Sequence, residues 1–188
     1  MLNQLISSAA LLRLCKPLNF SNVFNNPTTM ITEFELLPET SRIFIFQSQK
    51  KLTSAHEQLI RENLPDFLQT WHAHGKRLNS AWKIFDRHFL VIAVNEDSQN
   101  ASGCSIDSLN QFIRVLSEKL SADLFDRSIA FGCQNELSFA ELQELKTLII
   151  RGVITPDTPV YNNSVVTKKK FNEEWKLKAS KSWMSRYL

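Results

Sequence analysis

The strongest constraint in this chain is the order in which its hydrophobic periodicity changes. Arg42–Gln47 is a short β-rich apolar run, which reads as a buried strand. Ile60, Leu64, Phe67, Leu68 and Trp71 then recur at helical spacing, with Thr53 or a Ser54/Glu57 capping box at the start, Pro65 as a kink and Gly75 as the stop. Ser80–Phe85 and His88–Val94 read as two strands of a hairpin about Asp86-Arg87. Ile106, Leu109, Phe112, Ile113, Leu116 and Leu120 form the cleanest amphipathic helix, with Ser105 as its expected N-cap. Ser128–Gly132 completes a β-α-β-β-α-β series. The expected fold is therefore α+β and ferredoxin-like: an antiparallel sheet carrying two helices on one face.

Beyond that body, Ser138-x-x-Glu141 reads as a capping box for a helix through Leu142, Leu145, Leu148 and Ile149, ending at Gly152. A Thr155–Pro159 turn leads to a short strand at Val160-Tyr161. Phe171, Trp175, Trp183 and Tyr187 give the tail aromatic anchors, so it is expected to dock. The organisation expected is a flexible leader over 1–29, upstream of a natural start at Met30; a ferredoxin-like body over 30–135; and a C-terminal helix-turn-strand with a basic docked tail over 136–188.

Charge and composition narrow the functional classes. The formal net charge is +3, and both ends are basic around a mildly acidic middle. That is not the charge pattern of a nucleic-acid groove. Lys168-Lys169-Lys170 reads as a solvated face. Four glycines argue against a phosphate-cradling loop. Cys15, Cys104 and Cys133 are too few and too widely spaced for a disulfide framework or a zinc pattern, which suits a reducing, cytoplasmic setting. The apolar run Leu5–Leu12 is too short to span a membrane, and its basic residues follow it rather than precede it. No cofactor and no metal site are expected. Homodimerisation is compatible with the sheet.

Topology suggests where chemistry would gather. In the expected fold, the end of the first helix and the start of the second lie at one end of the sheet. His72, His74 and Lys76 should then neighbour Ser102, Gly103, Cys104, Ser105 and Asp107, with Cys133 nearby. Free amides at the second helix's N-terminus would favour an anion there, assisted by Lys76. The expected function is a noncatalytic module binding a small anionic ligand or a protein partner at this end. The alternative is a thiol-dependent enzyme in which Cys104, activated by the helix N-terminus, is the nucleophile and His74 the base. The chain does not decide between enzyme and binder.

Several motifs carry a resemblance. Leu37-Pro38-x-x-Ser41-Arg42-x-x-x-x-Gln47-Ser48, Trp71-x-Ala73-His74-Gly75, Ala101-Ser102-Gly103-Cys104-Ser105-Ile106-Asp107-Ser108, Leu124-Phe125-Asp126-Arg127 and Ser182-Trp183-x-x-Arg186 occur in this order. Over residues 34–188 the chain resembles a small uncharacterised bacterial family, typical of Bacteroidota, whose members often carry the name "ABC transporter ATPase". The resemblance implies histidine where Met184 stands. The ATPase activity in that name has no Walker A loop to support it: the pattern is G-x-x-x-x-G-K-[ST], and around Gly75-Lys76 the first glycine position is Thr70 and the Ser/Thr position Arg77. Residues 138–161 also resemble the helix-turn-strand of GYF-type adaptor domains, which implies a protein-binding role.

Overall fold

The computed structural model describes residues 33–133 and 136–188. The leader, the start at Met30 and Cys15 lie outside the described residues. Among the described residues the chain is mixed α+β, with antiparallel sheets and four α-helices.

β1 (Arg42–Gln47) is followed by α1 (Ser54–Thr70), which contains Pro65. Its cap is Thr53, whose hydroxyl accepts from the His56 amide while the His56 ring accepts from the Thr53 amide. This pairing replaces the expected Ser54/Glu57 box. After α1 the chain does not simply stop at Gly75. β2 (His72–Ala73) and β3 (Lys76–Arg77) pair as a miniature hairpin. His74 and Gly75 make its turn with φ of 49° and 75°, the left-handed pair that a two-residue hairpin turn requires. β4 (Asn79–Phe85) and β5 (Phe89–Asn95) follow as expected. Their turn carries left-handed Asp86 and Arg87 and closes on a bond from the His88 amide to Phe85 O of 3.1 Å. α2 (Gly103–Leu120) is capped by Ser102, not Ser105.

The first sheet has the order β1-β5-β4. β5 is buried on both faces. Leu90, Ile92 and Val94 meet Ile60, Leu64 and Leu68 of α1 and Leu109, Ile113 and Leu116 of α2. The alternate residues Phe89, Val91 and Ala93 face a second core with Ala130, Tyr161, Phe171 and Trp175. Strand side chains alternate between faces, so a run without polar interruption demands cover on both sides.

That cover corrects the expected four-stranded sheet. β6 (Ile129–Cys133) does not join β1. It pairs with β7 (Glu136–Ala140) and with β8 (Pro159–Tyr161), and β9 (Lys176–Lys178) extends a second antiparallel sheet of order β7-β6-β8-β9. The free edge of β1 is instead taken at its ends. The Ile43 amide donates to Val166 O at 3.0 Å, and the Asp126 amide donates to Gln47 O at 3.2 Å. The Ser138/Glu141 capping box is absent because Ser138 lies in β7 opposite Phe131. A 3-10 turn at Leu142–Glu144 leads instead into α3 (Leu145–Ile150). α3 and the C-terminal turns close a third core, in which Phe131 and Val160 meet Leu145, Ile154 and Met184.

α4 (Lys168–Glu174) lies between β8 and β9. Lys168 is buried, not solvated: its ammonium donates to Glu35 O at 2.8 Å and to Leu37 O at 2.6 Å. Gln47 is also buried. Its Nε2 donates to Asp126 Oδ1 and to Ser128 O, both at 2.8 Å, and its Oε1 accepts from Asn163 Nδ2 at 2.7 Å. Asn163 Oδ1 in turn accepts from Trp175 Nε1 at 3.0 Å.

Removing either buried group strands its partners. Gln47→Leu is expected to cost about 3 kcal/mol and Lys168→Met about 2 kcal/mol, since each orphaned buried polar atom costs roughly 1–3 kcal/mol. Urea denaturation measures both. A loss below about 0.5 kcal/mol for Gln47→Leu would show that its hydrogen bonds carry no net stability.

Candidate functional site

The two segments expected to meet do so, through packing. Trp71 is buried at the end of α1, and its Nε1 donates to Ser105 O in the first turn of α2 at 2.7 Å. Ser105 is buried and locked within its own turn: its amide donates to Ser102 Oγ at 3.2 Å and its hydroxyl to Ser102 O at 2.8 Å. The surrounding residues face outward. His72, His74, Lys76, Gly103, Cys104 and Asp107 are all exposed, and Ser102 is half-buried. His72 Nδ1 rests on the carbonyl of Thr70. Among the described residues, no hydrogen bond joins Cys104 to His72 or His74. None of these eight positions lines the clefts at Tyr161, Trp82 or Phe125.

Cys133 is not part of that end. β6 runs in the second sheet, so Gly132 and Cys133 line a cleft beside Asp86, at the other end of β4. Met184, where the family resemblance implies histidine, is buried in the third core.

The cleft beside Asp86 has a volume of about 730 Å³. The β4–β5 turn supplies Asp86 and His88 to one wall. Cys133 of β6 with Glu136 and Leu137 of β7 supply another. Pro159 and Tyr161 of β8, Lys176 of β9 and Lys51 complete it. Gly132 permits the close approach of β8 here, since a Cβ at that position would stand 3.3 Å from the Pro159 ring.

The Tyr161 hydroxyl donates to Asp86 Oδ2 at 2.6 Å, and the Lys176 ammonium lies 3.5 Å from the same oxygen. Lys176 also sits 5.1 Å above the Tyr161 ring, whose edges and faces pack on Phe89 and Trp175. Burial first, and then the Asp86 carboxylate, hold the Tyr161 phenol far above the ordinary tyrosine range. His88 is buried, with Nδ1 2.9 Å from Ser48 O and its ring against Phe139. A carbonyl oxygen only accepts, so Nδ1 carries the proton of the neutral ring and Nε2 presents a lone pair. Nε2 has no hydrogen-bond partner among the described residues.

Sequence reasoning passed over this cleft because its polar groups lie up to 125 residues apart, from Lys51 to Lys176. Asp86 read as a turn residue, Tyr161 as a strand residue and Lys176 as part of a basic tail. No local spacing joins them.

The Tyr161–Asp86 bond has an alkaline signature. Above about pH 10 the unfolded chain releases a phenolic proton that the fold retains, so stability falls as pH rises. Tyr161→Phe should flatten that fall in denaturation series run from pH 9 to 11.5. An unchanged slope in the variant would show that Tyr161 is not the retained proton.

No protein-family model, no curated protein and no solved structure matches this chain.

Proposed function

We propose that this protein is a noncatalytic ligand-binding module whose site is the cleft between the β4–β5 turn and the second sheet. The reading rests on one observation: a cleft of about 730 Å³ whose walls gather the Tyr161–Asp86–Lys176 cluster and the His88 ring. A cleft of this size suits a small organic ligand. The exposed amides at the start of α2 have no comparable enclosure, so the small anionic ligand expected there has no walls to select it. The alternative enzyme pairs Cys104 with His74 as base, and among the described residues no hydrogen bond joins the two.

We take the protein to belong to the bacterial family its motifs resemble, with a β-α-β-β-α core of ferredoxin-like descent whose fourth strand pairs elsewhere. The motif residues Gln47 and Asp126 serve hydrogen bonds that tie β1 to the entry of β6, and Ser48 bonds His88 at the end of the β1–β5 pair, structural uses that accord with a binder. Nucleotide hydrolysis under the family's customary name would have no phosphate loop to work with.

Two-dimensional NMR with a mixture of small organic acids, amines and zwitterions tests the site. The expected shifts cluster on His88, Leu137 and Tyr161 and spare Ser102–Ser105. Leu137→Trp, which fills the cleft from β7, should weaken binding at least tenfold. Shifts confined to the start of α2 would overturn this assignment in favour of the anion-binding loop.

A further inference from the structure

The walls of this cleft are charged in both senses, and the charges are not all spent on one another. Asp86 is engaged by Tyr161 and Lys176. Lys51 and Glu136 also line the cleft, and neither has an ion-pair partner among the described residues. A ligand of one sign would meet attraction from one of these groups and repulsion from the other. An uncharged ligand would use neither. His88 lines the cleft, and its Nε2 adds an acceptor that can take an N–H or O–H donor there. Leu137 and Pro159 offer apolar surface between the polar groups.

We infer that the ligand is a small zwitterion of amino-acid or short-peptide chemistry. Its ammonium group donates to His88 Nε2 and faces Glu136. Its carboxylate faces Lys51, with Lys176 beyond. Its apolar body lies on Leu137 and Pro159. The inference deepens the proposed function and rests on the cleft being a binding site. A free amino acid and a short peptide share this chemistry, and size separates them.

Cys133 gives a direct readout because it lines the cleft, whereas Cys104 is exposed elsewhere and serves as an internal reference. Iodoacetamide labelling of both thiols would be followed by peptide mass spectrometry in the full-length protein. The probes are L-leucine, leucyl-leucine, and the N-acetyl and C-terminal amide forms of each. The expected result is that a zwitterionic probe slows labelling of Cys133 without affecting Cys104. Each capped form should require at least tenfold higher concentration. Stronger protection by the dipeptide identifies a peptide ligand, and equal protection an amino acid.

Exposed Lys51 and Glu136 can be changed without disturbing the cores. Lys51→Ala should abolish the preference for the free acid over its amide. Glu136→Gln should abolish the preference for the free amine over its acetylated form. Equal protection by capped and uncapped probes would overturn the inference, and so would unchanged preferences in both variants. If no probe protects Cys133 while the NMR mixture still shifts His88 and Tyr161, the ligand class is wrong and the cleft assignment stands. If neither experiment responds, both fall.

Discussion

A buried primary amide has two donors and an acceptor to satisfy, and Gln47 satisfies all three across a junction that no backbone ladder spans. Its donors hold Asp126 and Ser128 at the entry to β6, and its acceptor holds Asn163 just after β8. Through Asn163 the chain of bonds reaches the Trp175 indole at the end of α4. The edge of β1 is thereby joined to the start of one strand of the second sheet, the end of another and the helix before a third. Apolar contact between the sheets supplies most of the stabilising area, but it is not directional. The amide fixes which parts of the second sheet lie against β1, because shifting them would leave buried donors and acceptors unpaired.

The cleft is a consequence of that placement. With β6 and β8 held against the first sheet, the left-handed β4–β5 turn projects Asp86 and His88 toward β8 and β9. Tyr161 is gripped by Phe89 and Trp175 at its ring and by Asp86 at its hydroxyl. A phenol fixed at both ends makes a rigid wall, and rigid walls reduce the ordering cost of binding.

Most elements of the first sheet were legible because each is announced locally. The hairpin turn, the amphipathic α2 and the strand β1 each follow from a single short stretch of consecutive residues. The partner of β6 was not legible. A short apolar strand carries no label for the sheet it will join, and the simplest topology assigned it to β1. One signal did point the other way: His88–Val94 has no polar alternation after its first residue, which means cover on both faces. Taken at full weight, that run requires a second layer, and the aromatic residues of the tail are its natural source. Lys168 failed for a related reason. A lysine triplet reads as solvated, and only the arrival of two bare carbonyls from Glu35 and Leu37 makes burial tolerable. The candidate site suffered most, since its members are gathered by sheet pairing alone.

The two-sided burial of β5 also has a temporal meaning. The helices that cover its Leu90, Ile92 and Val94 face are complete by Leu120, whereas the other face waits for Tyr161, Phe171 and Trp175. During vectorial synthesis, a nascent chain long enough to fold its first layer would still present Phe89, Val91 and Ala93 to solvent for roughly fifty more residues, a few seconds at ordinary elongation rates. An apolar strand face in that condition is a substrate for holding chaperones and a nucleus for aggregation on crowded polysomes. The last quarter of the chain therefore closes a surface that every unfinished copy carries.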